Sequence, residues 1–270
     1  MKTIIAPTDF SDTSINAVLF AADLALAVNA RLQIYHAVPV HAVLIDNWDY
    51  DVEYAATEEA MQRLEALQER IKDYTQYQIS IDVQLEYGDI DSVLEETCKH
   101  IVPFAVVMPA TEKTAIQRFM LGSQTLSVSR TIQVPLLLIP HEAKFSSFKK
   151  VAIATDLNKV YDMPLLNNLA SLAEAFKPLL DIVFVKEDDR FKAGNVSEAV
   201  ALQMHFEKYY PSFCYIKNDD VINGIKMYLN DNRPDLLIVI PKKHTPFHTS
   251  ISREFIIHPT VPTMILAGHC

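Results

Sequence analysis

Residues 2–12 read KTIIAPTDFSD, and residues 150–159 read KVAIATDLNK. In each, a short apolar run ends in Thr-Asp and leads into a helix. A strand followed at once by a helix, twice in one chain, marks a repeated α/β unit. After the first copy, Ile15, Val18, Leu19, Ala22 and Leu26 recur at helical spacing, with Ser11 or Asp12 placed to cap. After the second, Asp162 stands at the cap position and Pro164 early in the helix. The apolar stripe there is Leu165, Leu166, Leu169, Leu172 and Phe176.

The correspondence runs on outward from these two stretches. RLQIYHAV (31–38) answers LLDIVFVK (179–186) as a second strand. A long helix follows in the first copy with Met61, Leu64, Leu67 and Ile71 on one face, and SEAVALQMHFEKYY (197–210) is its expected equivalent. Third strands are ISIDVQLEY (79–87) and SFCYIK (212–217), with helices around 90–101 and 221–229. FAVVMP (104–109) and DLLIVIP (235–241) are almost continuously apolar, as strands covered on both faces of a parallel sheet are. RTIQVPLLLIP (130–140) then matches IIHPTVPTMILA (256–267). The pattern predicts an α/β chain of two tandem, doubly wound, five-stranded parallel-sheet domains, at 1–141 and 148–270. The linker HEAKFSSFKK (141–150) is short and polar, so the halves are expected to pack closely.

Composition excludes several classes of function. Of 270 residues, half are hydrophobic and 21% charged, which suits a globular chain with a full core. A formal net charge of −10 disfavours nucleic acid and anionic membranes, which repel an acidic surface. The run Ala17–Ala30 is broken by Asp23 and is too short to span a bilayer. Asp9 comes too early for a signal-peptide apolar region, so a cytoplasmic location is expected. The three cysteines, Cys98, Cys214 and Cys270, form neither a disulfide framework nor a CxxC metal motif. Only five glycines occur, few for a protein built on glycine-rich ligand loops.

The pieces IIAPTDFSDTS, YGDIDSVLEE and GSQTLSVSRTIQVPLLLIP together resemble the universal stress protein family in its tandem two-domain form, over essentially the whole chain. The resemblance implies a flavodoxin-like, adenine nucleotide alpha hydrolase-like sheet of order 3-2-1-4-5 in each half. It also implies pairing through the last strand of each copy, so that VPLLLIP and VPTMILA form an intramolecular pseudo-dimer; a further homodimer is less needed. Family members are regulatory or stress-response proteins, and some bind ATP through Gly, two residues, Gly, nine residues, then Gly-Ser or Gly-Thr.

That motif fits the first copy poorly. Anchored on Gly122-Ser123, its earlier glycines fall on Pro109 and Glu112. Proline has no N–H to donate. Glu112 carries a Cβ where close backbone approach is wanted, and its charge near a polyphosphate costs on the order of 1–4 kcal/mol. Lys113 is placed either to offset that charge or to point into solvent. In the second copy, Thr249-Ser250 stand opposite Gly122-Ser123, and PKKHTPFHTS contains no glycine. The resemblance places Pro7, Thr8 and Asp9 at the adenine and ribose, Val38 where a backbone group would read the base, and Gly122, Ser123 and Gln124 at the phosphates. The plainer alternatives are that Asp9 and Asp156 cap helices, and that Gly122-Ser123 is an ordinary helix start.

His244, His248, His258, His269 and Cys270 crowd the end of the second copy without a recognised ligand spacing, so no metal is expected. Glu58, Glu59, Glu65 and Glu69 read as the solvated side of a helix. No GxSxG, HExxH or Cys-His-Asn set is present, so an enzyme is not expected. The reading is a non-enzymatic regulatory or stress-response module with no bound cofactor and a degenerate nucleotide site, acting on a protein partner through its surface. The alternative is an adenine-nucleotide switch, for ATP or AMP, using one site in the first copy.

Overall fold

The structure, a computed structural model, describes residues 1–38, 50–110, 125–157 apart from 126, 130 and 133, 166–186, 193–240 and 254–266. Its centre is a ten-stranded sheet. The first half supplies β1 (Lys2–Pro7), β2 (Ala30–Val38), β3 (Ile81–Tyr87), β4 (Ala105–Pro109) and β5 (Leu136–Ile139). The second supplies β6 (Lys150–Ala154), β7 (Leu179–Lys186), β8 (Ser212–Lys217), β9 (Leu236–Val239) and β10 (Thr263–Ile265). Across the sheet the order is β3-β2-β1-β4-β5-β10-β9-β6-β7-β8. Read from each outer edge inward, both halves follow 3-2-1-4-5.

Pairings within each half are parallel, and β10 meets β5 antiparallel, with Thr263 opposite Leu138 and Ile265 opposite Leu136. The edge strand β3 buries Ile81 and leaves Asp82, Gln84 and Glu86 exposed, which is why it alternates while β4 is buried at four consecutive residues.

Among the described residues, the helices are α1 (Asp12–Val28), α2 (Tyr50–Tyr74), α3 (Ile90–His100), α4 (Leu166–Phe176), α5 (Ala193–His205) and α6 (Val221–Asn232). One face of the sheet, against α1, α2, α4 and α5, carries a buried cluster running through both halves from Ile4 to Leu266. The other carries a cluster with α3 and α6, including Leu94, Ile225 and Leu229. Alternate residues of a strand serve opposite clusters: Ile4 and Ala6 one, Ile5 the other.

Several local expectations shift. The buried arc of α1 centres on Ala17, Val18, Ala21, Leu24, Ala25 and Val28, while Ile15, Leu19 and Leu26 lie at its margins. The cause is that α1 is covered by the linker as well as by the sheet. Asn16 donates to the Ala143 carbonyl at 3.1 Å and accepts from Lys144 at 3.0 Å. Phe20, Phe145, Phe148 and Phe176 form an aromatic cluster whose ring centroids lie 5.0–6.3 Å apart. The linker is thus partly core, not merely polar.

On α2, Leu64, Leu67 and Ile71 are buried but Met61 is 37% exposed. The helix expected at 197–210 begins at Ala193, ends at His205 and gives way to a 3₁₀ turn at Glu207–Tyr209. Asp162, Pro164 and Leu165 lie outside the described residues. So do Gly122, Ser123 and Gln124, Glu112 and Lys113, Thr249-Ser250, and His244, His248, His269 and Cys270.

Candidate functional site

In a sheet of this order, β1 lies between β2 and β4, so the connections leaving β1 and β4 go to opposite faces and open a crevice at their carboxyl ends. Pro7, Thr8 and Asp9 stand there. Pro7 is buried opposite Tyr35, and the Thr8 N–H extends the ladder by donating to the Tyr35 carbonyl at 2.8 Å.

The Thr8 hydroxyl is buried and busy. It accepts from the Phe10 N–H at 3.0 Å and bonds the Ser14 hydroxyl at 3.0 Å. That turn forces Phe10 to φ 61°, a left-handed conformation that costs a bulky residue. His36 holds the same turn from β2: its Nδ1 lies 2.8 Å from the Thr8 carbonyl. A carbonyl only accepts, so Nδ1 carries the proton. The Phe10 ring leans on His36 at 4.5 Å between centroids, and the Arg63 guanidinium lies 4.3 Å from the Phe10 centroid. His36, Phe10 and Arg63 therefore form a column joining β2, the β1–α1 turn and α2.

Asp9 takes neither role first open to it in pure form. Ser11 is the cap of α1, its hydroxyl accepting from the Ser14 N–H. The exposed Asp9 carboxylate sits one step back: its Oδ1 accepts from the Ser11 N–H at 3.0 Å and from the Ser11 hydroxyl. Burial alone would raise the Asp9 carboxyl, but hydrogen bonds from Ser11 outweigh it and hold the group below its ordinary value. Val38 closes β2, and its carbonyl accepts from the Gly88 N–H at 2.9 Å. Gly88 turns β3 into α3 at φ +125°, which only glycine adopts readily.

At the carboxyl end of the neighbouring strand, β4 stops at Pro109, and the next N–H, from Ala110, donates to the Ile139 carbonyl at 2.8 Å. Further along the chain, Ser127 donates to the Asp91 carboxylate at 2.5 Å. Pro7, Thr8 and Asp9 thus share one turn with Val38 two residues past His36 on the neighbouring strand. Sequence reasoning missed His36, Phe10 and Arg63. A histidine two residues from a strand end, beside a turn, was the available signal.

The second half repeats the turn. The Thr155 N–H donates to the Val183 carbonyl at 3.1 Å, and the Thr155 hydroxyl accepts from the Leu157 N–H at 3.1 Å, with Leu157 at φ 50°. Here Asn195 of α5 closes over it, donating to the Asp156 and Leu157 carbonyls at 3.3 and 2.9 Å. Among the described residues no three His, Cys, Asp or Glu side chains converge as a metal site would need. None of the described helices is long and apolar enough to cross a membrane. Cys98 is buried, and that burial pushes its thiol up to about 11, away from nucleophilic use.

A model of the universal stress protein family matches residues 1–140. No curated protein matches the chain significantly. Among solved structures, a universal stress protein from Archaeoglobus fulgidus DSM 4304 is similar over 98% of this chain and 96% of its own, at 18% identity and a TM-score of 0.77. A functionally unknown protein from Pseudomonas aeruginosa PAO1 is similar over 99% of this chain and 93% of its own, at 9% identity and a TM-score of 0.59. At such identities these likenesses bear on the fold.

Proposed function

The chain belongs to the universal stress protein family, and on that premise we propose that it is a non-enzymatic regulatory or stress-response module whose first-half nucleotide site is degenerate. In this reading the units 1–141 and 148–270 form a cytoplasmic pseudo-dimer that works on a protein partner through its surface.

The observation that carries the reading is the end of β4. A phosphate cradle is made of free backbone N–H groups. Pro109 has none, and the Ala110 N–H is spent on the Ile139 carbonyl. The nucleoside end also has prior commitments, since Asp9 Oδ1 serves Ser11 and the Val38 carbonyl serves Gly88. With no triphosphate held, phosphoryl chemistry has no place to occur.

The competing reading, an adenine-nucleotide switch, draws support from the His36–Phe10–Arg63 column, which offers ring and cation surfaces at the base end. Calorimetric titration of the full chain with ATP, AMP and adenosine separates the two. Our reading expects no ATP heat at millimolar ligand. Tight stoichiometric ATP binding would overturn it. Binding of adenosine or AMP, lost in Asp9→Ala, would favour the switch.

A further inference from the structure

Between α5 and the outer strands β7 and β8 lies a cavity of about 370 Å³. Ile182, Phe184 and Tyr215 form much of its floor, and Ala199 and Val200 of α5 much of its roof. Leu157 and Asn195 close its inner end. This is the size of a pocket for one small ligand.

We propose that this cavity is a binding site for a small, uncharged, flat aromatic molecule, a function separate from the nucleotide crevice of the first half. The chemistry of the walls selects that class. Among the described residues, none that lines the cavity carries a formal charge, and a charged ligand would lose hydration against these apolar walls. Phe184 and Tyr215, paired across β7 and β8, lie side by side at 6.3 Å between centroids and 44° between planes, a floor suited to another ring. Gln203 supplies an amide for one polar group on the ligand.

The closed end is held in place before any ligand arrives, because Asn195 ties α5 to the Asp156 and Leu157 carbonyls. The mouth is open: Val196 and Val200, one turn apart on α5, are 54% and 53% exposed. At the same station in the first half, α2 fills the space over β2 and β3 with Leu64, Leu67 and Ile71. Apolar walls open to solvent gain burial and dispersion contacts when an aromatic guest covers them.

The test uses the full chain and 2-naphthol, an uncharged fused-ring probe with one hydroxyl. Methyl NMR should show saturable shifts at Ile182 and Val200 on titration. Ala199→Phe, which fills the hollow, should weaken binding at least about tenfold without lowering the melting temperature. Should that variant fail to fold, Val200→Phe at the mouth serves the same purpose. The charged analogue 2-naphthoate should bind at least about tenfold more weakly than 2-naphthol. Absence of saturable shifts overturns the proposal. So does binding that survives the filling variants, or binding of 2-naphthoate as tight as that of 2-naphthol. ATP does not enter the assay, so its outcome is independent of the reading given for the first half.

Discussion

The helices α2 and α5 hold the same station in the two halves, over β2–β3 and over β7–β8, and they bury different things. In the first half α2 runs for 25 residues, presses Leu64, Leu67 and Ile71 into the core, and clips the edge strand through Gln68, which donates to the Ile81 carbonyl at 2.6 Å. In the second half α5 is 13 residues long, seals Leu202 into the core, and otherwise roofs a hollow with Ala199 and Val200. The backbone plan is kept while the side chains diverge. A repeated fold therefore fixes where a helix lies and leaves open whether the space beneath it serves stability or a ligand.

That contrast is most easily broken by truncation. Leu64→Ala should destabilise the protein by roughly 2–5 kcal/mol, because the wall of a filled core cannot collapse onto the gap. Val200→Ala, at the open mouth of the second-half hollow, should cost less than about 0.5 kcal/mol. Urea denaturation of the two variants measures both. Equal losses would mean that α5 is as tightly packed as α2 and that the halves do not differ in this way.

A second difference lies deeper in the sheet. Counting back two residues from the carbonyls that receive Thr8 and Thr155 gives Gln33 and Asp181, a buried polar residue in each half. Asp181 is satisfied: the Tyr228 hydroxyl donates to its carboxylate, and Lys150 lies 3.1 Å from it. Burial, with the Asp181 hydrogen bond and charge behind it, raises the Tyr228 phenol far above its ordinary range. The Oε1 of Gln33, by contrast, is buried with no hydrogen-bond partner among the described residues.

Asp181→Leu should cost about 2–4 kcal/mol, since it strands both partners. Gln33→Leu should be neutral or stabilising by up to about 1 kcal/mol. Alkaline denaturation sharpens the point. A phenol raised on folding contributes stability below the unfolded value near 10, and that contribution is lost as pH rises through the folded value. Stability should therefore fall above about pH 10 in the parent and stay flatter in Tyr228→Phe.

The parts of this plan legible beforehand were those written in apolar runs. β4 and β9 read as buried strands because both of their faces are covered, and the two Thr-Asp turns announced the repeat because the same turn needs the same hydroxyl. What could not be read depends on neighbours distant in sequence. Phe145 and Phe148 sit among polar residues and look like linker until Phe20 and Phe176 arrive to cover them. His36 gained its role only when Thr8 was folded against it. The start of α5 was missed because its first turn contains Gly194 and Asn195, poor helix formers. Asn195 is there for the bonds it makes to the opposite turn.

The smallest expected effect concerns those two turns themselves. Each is a threonine holding the N–H two residues on, yet the first is braced from within by a carboxylate and the second from outside by an amide. A carboxylate titrates and an amide does not. Asp9 is held below 3.8, so its contribution is fully present above that value and is lost as pH falls through the folded one. Being exposed, it is worth only about a few tenths of a kcal/mol. The stability gap between the parent and Asp9→Asn should be constant from pH 7 to about 5 and close below about pH 4. The gap between the parent and Asn195→Ala should stay the same over that whole range. If the Asp9 gap persisted into acid, the Ser11 contacts would owe nothing to charge, and the two braces would be physically equivalent.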